Sequence, residues 1–150
     1  MKNNNGENEI MDNYEGGGLG MSIDSNGNIF VQIYLEAYEQ SKYVTNLQYN
    51  EWYTAVSTYD GNTIKLYLNG NLVATNNVSG TIKPSPCPIY LGANPGGVTY
   101  NTESLSSFIY SNALLYDRAL SEEEITEVFS NTIDKNKVSQ DKLLFYYDFK

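Results

Sequence analysis

A chain of 150 residues falls within the usual size of one domain and can bury a core without disulfide or metal staples. Its apolar fraction of 41%, with fourteen tyrosines, five phenylalanines and one tryptophan, is more than a disordered chain carries. There is no histidine, Cys87 is the only cysteine and the formal charge is -9, which excludes His-dependent triads, histidine metal ligands, an intrachain disulfide and multi-cysteine zinc, and opposes nucleic acid or anionic lipid as partners.

Residues 1–15 are polar, with no apolar core of a signal peptide, and nowhere is there a run near ~18 apolar residues, so the chain reads as soluble with no membrane insertion. From Leu19, apolar Leu19, Met21 and Ile23 alternate with Gly20, Ser22 and Asp24, the pattern of a half-buried strand. Asp24-Ser25-Asn26-Gly27-Asn28 then reverses the chain into Ile29, Val31, Ile33 and Leu35, which alternate with Phe30, Gln32, Tyr34 and Glu36; together these predict a β-hairpin.

A short strand is predicted at 43–47 and a longer one at 51–59. Asp60-Gly61-Asn62 turns the chain into alternating Ile64, Leu66 and Leu68, and Asn69-Gly70 turns it again into 72–75. The three prolines of 83–88 cannot sit in a central strand, but 89–92 can. Residues 93–107 read as an exposed loop, and 108–116 return to strand composition. Ser121 with Glu124 makes a capping box, Leu120 can staple onto Ile125, and Ile125, Val128 and Phe129 share a face, which predicts a helix at about 121–131. A polar link leads to a last strand at 143–149. Many short antiparallel strands with one small helix predict an all-β sandwich.

The run Trp52 to Gly70, WYTAVSTYDGNTIKLYLNG, resembles the W-x-x-V-x-x-T-Y-D-G-x-x-L-x-L-Y-x-N-G core of laminin-G-like domains, in the concanavalin A-like lectin/glucanase group. Ile89-Tyr90-Leu91-Gly92-Ala93-Asn94 and Leu115-Tyr116-Asp117-Arg118-Ala119-Leu120-Ser121-Glu122-Glu123-Glu124-Ile125 resemble two further motifs of that group, in the same order. The resemblance covers roughly 19–131 and implies a jelly-roll sandwich of two antiparallel sheets. Members usually have one or two strands before the segment at Leu19. None is visible in the polar start, so the chain resembles a piece of a larger protein, or one whose C-terminal 143–149 strand supplies what is missing.

Glu9, Asp12 and Glu15 invite comparison with the acidic catalytic strand of laminarinase-like enzymes of this fold. Spacing of three residues divides carboxylates between the two faces of a regular strand, so they read as a solvated acidic segment unless a bulge intervenes. Gly16-Gly17-Gly18-Leu19-Gly20 fits no phosphate-binding motif and reads as a flexible connection. The resemblance also implies calcium at the sandwich rim, for which Asp24, Asn26, Asp60, Asn62 and Asn94 supply loop oxygens; the same residues also serve as turn initiators.

Sugar C–H faces pack on aromatic rings with amides beside them to bond hydroxyls. Tyr34, Tyr53 and Tyr67 alternate against the apolar stripes and are expected to face outward, and Tyr100 and Asn101 lie in a loop, so these five are the candidate ligand contacts. Tyrosine also covers sheet surfaces without binding anything. Trp52 is expected to anchor the core. The leading expectation is a non-catalytic domain of a secreted or cell-surface protein that binds a polysaccharide, a glycoprotein glycan or another surface protein; the alternatives are a structural spacer or a fragment of a glycoside hydrolase.

Overall fold

Alternation decides which face of each strand turns inward, and the computed structural model, which describes residues 8–43, 47, 48, 50–94, 106, 108–131 and 134–149, follows it closely. The described strands are β1 (Asn8–Asp12), β2 (Leu19–Ile23), β3 (Ile29–Tyr34), β4 (Tyr38–Tyr43), β5 (Ala55–Tyr59), β6 (Thr63–Leu68), β7 (Asn71–Asn77), β8 (Tyr90–Leu91), β9 (Asn112–Tyr116) and β10 (Leu143–Asp148). One helix, α1 (Glu122–Asn131), precedes a 3-10 turn at Lys135–Lys137. Every described strand pair is antiparallel. A five-stranded sheet has the order β4-β3-β2-β1-β8, a three-stranded sheet β5-β6-β7, and β9 pairs with β10.

The β2–β3 register sets Leu19 opposite Ile33, Met21 opposite Val31 and Ile23 opposite Ile29, so the apolar stripes of both strands share one face. That face meets Ile64 and Leu66 of β6, and Met21, Ile29, Val31, Ile33, Leu35, Ile64 and Leu66 form the buried core of a jelly-roll sandwich. Full burial of each such side chain is worth about 1.5–3 kcal/mol. At the β6–β7 reversal Asn69 (φ 50°) and Gly70 (φ 79°) both take left-handed backbone, the conformation for which Asn-Gly is suited.

The helix forms where its capping box predicts: the Ser121 hydroxyl accepts the Glu124 amide at 3.3 Å, and the Glu124 carboxylate accepts the Ser121 amide at 2.9 Å. Ile125 and Val128 are buried, whereas Phe129 is exposed in part and leans over Gly70. Helix α1 lies over the outer face of β6, where Glu122 reaches Lys65 at 3.7 Å.

Several expectations are corrected. The polar start is not simply solvated, because Asn8–Asp12 is a strand paired on both sides, with β2 and with β8. The glycine run is packed rather than flexible: the Gly18 amide donates to the Lys83 carbonyl at 2.7 Å, and a Cβ on Gly17 would collide with the Pro84 carbonyl. The strand expected at 43–47 begins earlier, at Tyr38, as the second arm of a hairpin turning at 35–37, and residues 44–46 lie outside the described ones. The longer strand starts only at Ala55, so Trp52 stands before it and is 66% exposed rather than a core anchor. The strand expected at 143–149 is present as β10 and, among the described residues, pairs with β9 alone.

Candidate functional site

The face of the five-stranded sheet opposite the core gathers aromatic and amide groups at its β3–β4 end. Tyr34 faces Tyr38 and Gln32 faces Gln40 across the hairpin, and the two-residue spacing puts all four on one face. The Tyr34 and Tyr38 ring centroids are 4.8 Å apart in an edge-to-face arrangement, and Tyr14 closes on Tyr38 at 4.8 Å with a tilt of 57°. Tyr38 is 63% exposed, so the cluster presents an aromatic surface to solvent. Lys83 lies 5.6 Å from the Tyr34 ring centroid and pairs with Glu36 at 3.0 Å, the bond that raises the lysine pKa.

Tyr14 is fixed from below by Asp12, whose carboxylate accepts the Tyr14 amide at 2.7 Å. Burial, then the neighbouring Tyr38, Glu39 and Asp12, pushes the Tyr14 phenol well above its ordinary value, so it stays protonated. Its hydroxyl is buried and meets no acceptor among the described residues. At the other end of the same face Phe30 and Ser22 are buried, which confines the open surface to the tyrosine end.

The two acids that spacing had placed on opposite faces lie on the same one. A register shift between Glu9 and Met11 inserts one extra residue into β1, so Glu9 sits opposite Ser22 and Asp12 opposite Gly20. Both are deep, 4% and 2% exposed, and Glu9 accepts the Ser22 hydroxyl. Gly20 has only hydrogen where a Cβ would stand 3.0 Å from the Asp12 carboxylate. Tyr110, whose hydroxyl donates to the Ile10 carbonyl at 2.8 Å, has its pKa raised by burial first and by the Glu9 charge second. These carboxylates are held inside the sheet by its own donors.

Of the predicted contacts, Tyr34 is in the cluster. Tyr67 is corrected: it is 3% exposed, on β6 beside a register shift in its pairing with β7 between Leu66 and Tyr67. Tyr53 precedes β5 on the other sheet, and its hydroxyl accepts the Gln48 amide at 3.1 Å. Tyr100 and Asn101 lie outside the described residues. Tyr14, Tyr38, Gln32 and Gln40 escaped the sequence reading as contacts; for Gln32, Tyr38 and Gln40 the signal was the period of two continuing from Phe30 through Tyr34 and back after a short turn, and Tyr14 had none.

The calcium candidates do not come together. The Asp24 carboxylate accepts the amides of Asn26 at 2.8 Å and Asn28 at 3.0 Å, together with the Asn28 side chain at 2.9 Å. Asp60 accepts the amides of Asn62 at 2.9 Å and Thr63 at 2.8 Å, bonds that lower its pKa, and Asn62 accepts the Ser79 hydroxyl at 3.1 Å. The Asp24 turn leads into the start of β3, while the Asp60 turn bonds through Gly61 to Gly80, which packs on Leu35 beyond the end of β3. The two turns are thus separated by the length of a six-residue strand, roughly 20 Å. Asn94 follows β8 on the far edge of the five-stranded sheet. These five do not fit one calcium shell, and the described residues hold no group of three or more acidic or cysteine side chains suited to a metal.

A second concavity, of about 1860 Å³, lies between the sheets. Its walls include Ile23, Val31 and Ile33 on one side, Ile64 and Leu68 on another, and Trp52 among the residues before β5.

A family profile described as the concanavalin A-like lectin/glucanases superfamily matches residues 1–126. The chain belongs to this superfamily. No curated protein matches it. Among solved structures, a candidate carbohydrate-binding protein from Bacteroides ovatus is similar to this lectin-like domain at 19% identity with a TM-score of 0.69, over 95% of this chain and 41% of that one. The binding domain of botulinum neurotoxin serotype C1 is similar at 16% identity with a TM-score of 0.52, over 89% of this chain and 34% of that one. The chain therefore spans well under half the length of either, and at such identities the likeness is one of fold.

Proposed function

We propose that this is a non-catalytic recognition domain that binds glycan on the Tyr34–Tyr38 face, as part of a secreted or cell-surface protein. The observation that carries the reading is the opposed pair Tyr34 and Tyr38 with Gln32 opposite Gln40 beside it. The exposed Tyr38 ring offers apolar area to a sugar's C–H face, the amides and the Lys83–Glu36 pair bond its hydroxyls, and Tyr14 braces the rings from behind. The superfamily's lectin-like fold supports a binding role, as does the carbohydrate-binding description of the Bacteroides ovatus protein. A shallow site of this kind binds in the millimolar range, about -4 kcal/mol, and gains useful strength from linked copies.

Catalysis is not part of this reading, because Glu9 and Asp12 are engaged within the sheet. Calcium is left out as well, because its candidate ligands are spent in separate turns. The described residues include no helix long and apolar enough to cross a membrane. A glycan array probed with the wild-type chain and with Tyr38→Ala tests the proposal: binding to a defined set of glycans that Tyr38→Ala abolishes supports it, and equal signals from both proteins, or none, give the site to the adhesive or spacer reading.

A further inference from the structure

We infer that the glycan bound at the tyrosine face carries free, protonated amino groups, as a deacetylated amino-sugar oligomer does, and that Glu39 is the carboxylate that receives one of them. The inference rests on the glycan reading of Tyr34 and Tyr38 and adds the ligand's charge to it. Lys83 displays the interaction within the chain itself: its ammonium stands 5.6 Å from the Tyr34 ring centroid and 3.0 Å from the Glu36 carboxylate. A cation set between an aromatic face and a carboxylate is attracted by both. Tyr34 has that complement already. Tyr38, its edge-to-face neighbour at 4.8 Å, presents a ring 63% exposed, with no cation over it among the described residues.

Glu39 follows Tyr38 on β4, and no hydrogen bond or ion pair joins its carboxylate to another described residue. It stands on the wall of a hollow of about 320 Å³, formed with the 35–37 turn and with 79–81, a volume within the roughly 300–1,000 Å³ of small-ligand sites. Glu36 is on the same wall, so the carboxylate that holds Lys83 over Tyr34 and the unpaired one border a single space. The Tyr14 and Tyr59 phenols, raised first by burial, are both raised further by the Glu39 charge. That carboxylate is therefore within electrostatic reach of the tyrosine face and also of Gly80 in the hollow, whose carbonyl accepts the Tyr59 hydroxyl at 2.8 Å.

Charge selects the class of ligand. Tied to the three rings are Lys83 and Glu36 at Tyr34, and Asp12 and Glu39 at Tyr14, three carboxylates to one ammonium, on a chain of formal charge -9. That field repels uronic and sulfated sugars, and a neutral sugar leaves Glu39 without an ionic partner. A metal ion asks for more oxygen ligands than the two carboxylates of the hollow, and the described residues hold no group of three. An amine on a sugar ring brings apolar C–H surface to Tyr38 and a cation to Glu39 together.

The test titrates the isotopically labelled 150-residue chain with β-linked oligomers of glucosamine, N-acetylglucosamine and glucose, matched in length and alike except for the group beside the anomeric carbon. The glucosamine oligomer is expected to bind about tenfold or more tighter than the other two, to shift Tyr38, Glu39 and Gln40, and to lose most of that advantage at about 0.5 M salt. In Glu39→Gln, which removes one charge at a half-buried position and keeps the side chain's shape, the preference should shrink to within about twofold. Equal affinities of the three oligomers on the tyrosine face overturn the inference and leave the glycan reading standing, as does a preference that Glu39→Gln retains. A glucosamine oligomer that moves nothing while another glycan shifts this face also overturns the inference alone, and silence from every glycan removes both.

Discussion

Arg118 grips both carboxylate oxygens of Glu124, at 2.7 and 2.6 Å, just ahead of the helix that Glu124 caps. The same carboxylate accepts the Ser121 amide, and Arg118 reaches on to Asp141 at 2.9 Å, so one guanidinium ties the start of α1 to the turn before β10.

That grip makes part of the stability pH-dependent. The Arg118 bond first, and the Ser121 amide second, hold the Glu124 carboxyl at about 2, below its unfolded value. A carboxyl lowered on folding contributes stability that is complete above its unfolded pKa and lost as pH falls through the folded one. The melting temperature should therefore fall as pH is taken from 5 toward 2, and fall less steeply in Glu124→Gln, which starts lower at neutral pH. Parallel curves for the two proteins would contradict the assignment.

Tyr67 tests the burial of the β6 aromatic ring. Truncating a buried aromatic ring of this size costs about 3–5 kcal/mol, and Tyr67→Ala is expected to lose that much in urea unfolding. Because β6 belongs to a different sheet from the Tyr34–Tyr38 pair, folded Tyr67→Ala should bind glycan as wild type does. A loss within about ±0.5 kcal/mol, the range of a surface substitution, would put Tyr67 back on the surface.

What the sequence disclosed, and what it hid, follows one physical divide. Strict alternation and local hydrogen bonds were legible: the hairpin of β2 and β3, the Asn69-Gly70 turn and the Ser121 capping box all sit where residue types alone place them. Irregular register was not. A bulge in β1 brings Glu9 and Asp12 to one face, and another register shift lies beside Tyr67, whose burial the alternation of β6 did not disclose. Tyr34 was legible as facing away from the core from its alternation, but its partner Tyr38 depended on a turn at 35–37 that carries no glycine, proline or asparagine signal.

The turn carboxylates make a prediction about metal. Because Asp24 and Asp60 each bond amides of their own turn at opposite ends of β3, millimolar Ca²⁺ and chelator should give the same melting temperature. A calcium-dependent rise of several degrees that Asp24→Asn or Asp60→Asn removes would restore the rim site.

Burial of Glu9 and Asp12 predicts the absence of hydrolysis. No reducing ends should appear when the chain is incubated with β-glucans, since neither carboxylate is exposed enough to flank a glycosidic bond. Release that disappears in Glu9→Gln would show that the bulge builds a working acid pair.

The proposed glycan face is tested most directly by chemical-shift mapping of the isotopically labelled chain against a panel of soluble oligosaccharides at about 1 mM and above. The expected shifts cluster at Gln32, Tyr34, Tyr38, Gln40 and Lys83, and vanish in Tyr38→Ala, whose fold should survive because that ring is largely exposed. A panel that moves no resonance on this face, or moves it equally in Tyr38→Ala, would contradict the account.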